Sequence, residues 1–118
     1  MRPAARRAIA AACGAALALV AASVARGADD GDANELQLGK TLFTVGANPP
    51  CSTCHMLKDA KAMGAIGPVL DDLQPTAERV VAALKNGIGM MPSYQSSLSE
   101  AQMRALARYV AKASGGAR

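Results

Sequence analysis

The sequence predicts an all-α domain, and three observations carry that prediction. Apolar residues recur at three- and four-residue spacing inside segments bounded by helix caps, and no stretch alternates apolar and polar residues with a period of two. Only three aromatic side chains, Phe43, Tyr94 and Tyr109, are available to fill a core. The helices are therefore expected to wrap around something larger than their own side chains.

Of the 118 residues, residues 1–25 read as an export signal peptide. Arg2, Arg6 and Arg7 form a basic start, Ala8 to Ala25 is an Ala/Leu/Val run, and Ser23-Val24-Ala25 places small residues where a signal peptidase cuts. Cleavage is expected after Ala25, to within a few residues. The same run would hold the chain to a membrane only if it were retained, and its alanines contribute little transfer free energy. Cys13 follows too short an apolar stretch for a lipoprotein.

Cleavage leaves 93 residues, one small domain. The formal charge of +4 then largely disappears: three of the thirteen Lys and Arg lie in the signal segment, and the remaining ten face nine Asp and Glu. Nucleic-acid binding loses its electrostatic support. A domain this small is marginal without a disulfide, a metal or another large apolar body.

Residues 26–33, with Gly27, Asp29, Asp30, Gly31 and Asp32, are acidic and turn-forming and are expected to be flexible. Asn34 is the expected cap of a first helix that groups Leu38, Leu42, Phe43 and Val45 on one side and ends at Gly46 to Pro50. Cys51 to Met56 reads as a short helical turn, followed by a loop with Gly64, Gly67 and Pro68. Thr76 caps a second helix that runs to Lys85, stops at Asn86-Gly87 and turns Val80, Val81 and Leu84 inward. A Gly/Met/Pro loop spans Gly87 to Ser97. The last helix opens on the capping box Ser99-x-x-Gln102 and carries Met103, Leu106, Ala107 and Val110 at i, i+3, i+4 and i+7. Ser114 to Arg118 reads as a frayed end, so the domain is expected over residues 34–114, with a flexible tail at 115–118.

Cys51-Ser-Thr-Cys54-His55 is the C-x-x-C-H haem-attachment pattern. On a tight helical turn the two thiols reach the two vinyl groups of a haem, and the next imidazole points at its iron. Thioether bonds do not dissociate, so a small exported protein keeps its cofactor. The export signal agrees, because this attachment takes place outside the cytoplasm. Zinc normally takes four protein ligands, or three and a water, and with two Cys and one His left after cleavage it would have to recruit carboxylates. A thioredoxin-like dithiol calls for a βαβ setting that the sequence lacks. A plain structural disulfide is the simplest competitor.

The sixth iron ligand decides between electron transfer and chemistry at an open face. His55 is the only histidine, so a second imidazole is excluded. Met56 adjoins His55, Met63 lies in the following loop, and Met103 belongs to the apolar stripe of the last helix. Met90 and Met91 remain, in Gly87-Ile-Gly-Met-Met-Pro-Ser-Tyr94, where glycines let backbone approach a cofactor and Pro92 holds its predecessor extended. Met91 is preferred over Met90. Thioether ligation favours ferrous iron and suits a carrier. Pro68 is the expected carbonyl partner of the other His55 ring nitrogen. Gly39 and Phe43 of the first helix and Leu106 and Tyr109 of the last are expected to make a close helix crossing.

Gly39-x-x-x-Phe43, Cys51-Ser-Thr-Cys54-His55, Gly67-Pro68-x-Leu70, Met91-Pro92-x-Tyr94 and Leu106-x-x-Tyr109, in this order, resemble the class I c-type cytochromes over residues 35 to 113. The resemblance implies crossing N- and C-terminal helices around one covalent haem c, with Cys51, Cys54, His55, Pro68 and Met91 as the cofactor-binding residues and His55 and Met91 on the iron. Residues 57–68 and 70–80 also look like small cytochromes that accept electrons from bacterial sulfite dehydrogenases. What this implies is a periplasmic carrier between a dehydrogenase and a terminal oxidase, with Lys58, Lys61 and Lys85 as candidates for steering an acidic partner. Two other readings are a tightly held cytochrome subunit of a sulfite-oxidising enzyme and an enzyme or gas sensor with an open haem face.

Overall fold

The computed structural model describes residues 15–117, with side chains from residue 27 onward. Arg2, Arg6, Arg7, Cys13 and the first half of the expected signal segment lie outside the described residues. The described residues divide into two units, the boundary falling between Gly31 and Asp32. Helix α1 (Ala15–Thr41) supplies Ala15–Gly31 to the first and Asp32–Thr41 to the second. No helix among the described residues is long and apolar enough to cross a membrane.

The second unit is helix-rich. After α1 comes a π-helical turn at Leu42–Gly46, then a 3-10 turn at Cys51–Thr53. A small antiparallel hairpin follows, β1 (Met56–Leu57) with β2 (Ala62–Met63), pairing Met56 with Met63 and Leu57 with Ala62. Helices α2 (Leu70–Leu73), α3 (Ala77–Asn86) and α4 (Glu100–Ser114) complete it. Neither the hairpin nor α2 was expected. A two-residue strand is too short to show alternation, and the hairpin is closed by Lys61 in the left-handed region, φ 51°.

Local chemistry sets the boundaries of the two later helices as expected. The Thr76 hydroxyl accepts from the Arg79 amide at the start of α3, and Gly87 ends that helix with φ 68°. Ser99 and Gln102 close a reciprocal capping box at the start of α4. The core gathers Leu42, Phe43, Leu57, Leu84, Met103 and Leu106, each at most 4 % exposed. Met103 therefore packs, as does Leu84; Val80 and Val81 are only half-buried.

Three expectations need correction. Residues 26–33 are helical, and α1 starts well before Asn34: with no proline to stop the helix, the roughly 1 kcal/mol cost of each glycine is insufficient to break it. Within the second unit, Arg108 of α4 pairs with both Asp32 and Glu35 and so holds the 32–35 turn. Leu38 and Val45 are exposed rather than grouped with Leu42 and Phe43: Leu38 lies off the face that buries Gly39, Leu42 and Phe43, and Val45 falls within the π-helical turn, where the register shifts. The end of α4 is not frayed. Gly115, at φ 86°, forms a Schellman cap in which the Gly116 amide donates to the Ala111 carbonyl, and Gly116 packs against the Pro75 carbonyl so closely that a Cβ would lie 2.3 Å from it.

The crossing of α1 and α4 is as expected. Phe43 and Tyr109 meet edge to face with ring centroids 6.1 Å apart.

Candidate haem site

The attachment motif sits on the 3-10 turn entered from Pro50, whose extended backbone (φ −63°, ψ 141°) delivers the chain into it. Within the turn the Cys54 and His55 amides both donate to the Cys51 carbonyl, at 3.1 and 2.9 Å. The Ser52 hydroxyl donates to the Thr44 carbonyl at 3.0 Å and pins the motif to the π-helical turn. Cys51 and Cys54 are half-buried and form no disulfide, and burial pushes the Cys51 thiol up to about 11. Both thiols are thus available for thioether formation.

The loop after the hairpin cradles His55. The Ile66 and Gly67 amides donate to the Cys54 carbonyl at 3.1 and 2.7 Å, bringing Gly67 against the imidazole, where a Cβ would lie 2.6 Å from Cε1. Pro68 follows with its carbonyl oxygen 2.8 Å from His55 Nδ1. A carbonyl can only accept, so Nδ1 is the nitrogen that donates, and Nε2 is left as the one that could bind a metal. Gly64 serves the same cradle from behind: a Cβ there would stand 2.5 Å from the Cys54 backbone.

On the opposite side of the sequence, Ile88 and Met91 exchange two backbone hydrogen bonds, 3.1 and 2.9 Å, across a two-residue turn. Gly89 takes its first central position with φ 55°, and Met90, which is not at positive φ, takes the second; this is the type II′ arrangement. Alternation along so short a turn separates the two methionines. Met90 is 88 % exposed, whereas Met91 is half-buried and packs against the core.

The residues present fit a haem in chemistry as well as in pattern. Val45, Ile66 and Ile88, on the segments just described, are 73, 64 and 67 % exposed, an unusual display of large aliphatic side chains in so small a domain and one that an apolar macrocycle would cover. The three lysines considered for steering differ. Lys85 pairs with Glu100 at 3.0 Å, while Lys58 and Lys61 are exposed and make no salt bridge among the described residues. Sequence reasoning missed the Ser52–Thr44 tie, the role of Gly64 and a hydrogen bond from the Tyr94 hydroxyl to the Pro49 carbonyl. Each depends on a tertiary approach that no local pattern encodes.

Residues 34–110 match the family described as "Cytochrome C oxidase, cbb3-type, subunit III". The chain is a class I c-type cytochrome. Its fold is similar to that of the c-type cytochrome SorU from Sinorhizobium meliloti, at 44 % sequence identity and a TM-score of 0.67, over 70 % of this chain and 93 % of that one. No curated protein shows a significant match. This cytochrome carries a covalently bound haem c with its iron, and it is an electron-transfer protein rather than an enzyme.

Proposed function

We propose that this cytochrome is a periplasmic one-electron carrier whose haem is bonded to Cys51 and Cys54 and whose iron is held by His55 and Met91. The observation that carries the ligand assignment is the His55 Nδ1–H···Pro68 hydrogen bond, 2.8 Å, which fixes the ring and reserves Nε2 for iron. The turn at Ile88–Met91 supports Met91 on the other side, since it sends Met90 into solvent. When bound, haem supplies an iron that takes up and gives back one electron. The protein's part would be to hold the His55 and Met91 side chains in place in either redox state, so that little rearrangement accompanies transfer.

Export is inferred from Arg2, Arg6, Arg7 and the Ala8–Ala25 run, with cleavage after Ala25. The electron donor proposed is a periplasmic sulfite dehydrogenase, on the resemblance of residues 57–68 and 70–80. The acceptor lies toward a terminal oxidase. Of the three lysines considered, Lys58 and Lys61 make no salt bridge among the described residues and are the ones proposed to steer an acidic partner, and such encounters bury little surface.

Mixing the oxidised holoprotein with sulfite and a catalytic amount of a bacterial sulfite dehydrogenase tests the donor. Full reduction within many turnovers, with the two proteins separating on gel filtration at micromolar concentration, is the result expected of a shuttle. Co-elution would make the cytochrome a subunit of the enzyme instead. Failure of sulfite to reduce it would remove the assigned donor.

A further inference from the structure

The loop from Gly87 to Leu98 carries Met91, and its hydrogen bonds show how it is held. The Gly87 amide donates to Ala83, the Tyr94 amide to Leu84 at 2.7 Å, and the Ser93 hydroxyl to Lys85, so three ties run to the end of α3. A fourth is of a different kind. The Tyr94 hydroxyl donates to the Pro49 carbonyl at 2.7 Å, across 45 residues of sequence, and among the described residues it is the one hydrogen bond joining this loop to the segment that enters Cys51.

The surroundings make this tie stiff. Tyr94 is 4 % exposed, so its ring has no room to swing, and its position three residues after Met91 leaves only Pro92 and Ser93 between anchor and thioether. Pro92 restricts its own φ and the conformation of Met91. Pro49 in turn precedes Pro50, whose carbonyl accepts from Thr53 at the start of the Cys51 turn. The hydroxyl therefore joins the two halves of the site through short, conformationally restricted stretches: Met91-Pro92-Ser93-Tyr94 on one side, Pro49-Pro50-Cys51 on the other.

We propose that Tyr94 is a positioning residue that clamps the Met91 loop to the haem-attachment segment and thereby keeps the iron's distal face closed to outside ligands. This rests on Met91 being the distal ligand. Without the hydroxyl, the loop remains attached to α3 but is released from the Cys51 side, and Met91 leaves the iron more often. An added ligand that competes with Met91 then binds more tightly in proportion to the open fraction.

The test is imidazole binding to ferric holoprotein, followed by the loss of the weak far-red band of methionine-ligated iron. Three variants are compared with wild type. Tyr94→Phe keeps the buried ring, and the Pro49 carbonyl lies on an exposed residue where water can replace the hydroxyl. Tyr109→Phe removes a tyrosine hydrogen bond remote from this loop, the one to Asp59. Met91→Ala checks the ligand itself. The expected result is imidazole affinity about fivefold higher in Tyr94→Phe, the scale of one ordinary hydrogen bond, and unchanged in Tyr109→Phe. Equal affinity in Tyr94→Phe and wild type, or an equal rise in both tyrosine variants, overturns the clamp while leaving Met91 in place. A far-red band that survives Met91→Ala instead overturns the ligand assignment, and the clamp with it. A Tyr94→Phe protein that failed to mature would assign the hydroxyl to folding rather than to ligand retention, which also contradicts the proposal.

Discussion

A Cβ placed on Gly39 would lie 2.5 Å from the Cβ of Tyr109 and 2.3 Å from the Ala105 carbonyl oxygen. At this point α1 and α4 cross backbone against backbone, and the edge-to-face contact of Phe43 with Tyr109 stands beside it. Gly39→Ala forces the helices apart and is expected to cost about 1–3 kcal/mol, read as a lower denaturation midpoint of the holoprotein. An unchanged midpoint would mean that the crossing yields without cost.

Gly67 is equally confined, but against a functional group: a Cβ would stand 2.6 Å from Cε1 and 2.9 Å from Nδ1 of His55. Gly67→Ala should push the imidazole away from the Pro68 carbonyl. On the proposed ligation, losing that acceptor makes His55 a weaker electron donor to iron, so the reduction potential is expected to rise, on the order of 40 mV, the one-electron equivalent of about 1 kcal/mol. Haem remains covalently attached, because the thiols are untouched. Spectroelectrochemical titration checks both statements, and a fall in potential would contradict the assigned role of the Pro68 carbonyl.

Asp59 links three segments. Its carboxylate accepts from the Tyr109 hydroxyl at 2.6 Å and pairs with Lys40 at 3.1 Å, and these contacts, the tyrosine first, hold its pKa below the ordinary value of 3.8. Burial and then the Asp59 hydrogen bond push the Tyr109 hydroxyl up, so it stays a proton donor at neutral pH. Folded Asp59 is a stronger acid than unfolded Asp59. Its stabilisation is complete above the unfolded value and is lost as pH falls through the folded one. Denaturation of wild type and Asp59→Asn at a series of pH values should show a stability gap that is widest above about pH 5 and closes in acid. A gap independent of pH would contradict it.

What the sequence made legible was local. Thr76, Ser99 and Gln102 cap their helices through bonds spanning three residues, and the Cys51 to His55 turn is defined by its own spacing. Pro68, thirteen residues from His55, was within reach because an imidazole aimed at a metal needs a carbonyl to accept from its other ring nitrogen. The rest was settled by tertiary contacts. Residues 26–33 look like a linker by composition and are helical; Gly115 to Ala117 look like a loose end and are capped and packed on Pro75. Val45 fits an apolar stripe until the π-helical turn breaks its register, and Leu38 lies just off the face that Gly39, Leu42 and Phe43 bury. Tyr94 stood in a recognisable motif, yet its partner Pro49 lies 45 residues away, and no period or spacing points to it.

That Met91 and not Met90 completes the iron's coordination is tested most directly by the absorption spectrum of ferric wild type, Met91→Ala and Met90→Ala, each matured with covalent haem. The expected result is a weak far-red band of methionine-ligated iron in wild type and Met90→Ala and its loss in Met91→Ala. Its loss in Met90→Ala with retention in Met91→Ala, or its absence from wild type, would contradict the assigned His55/Met91 pair.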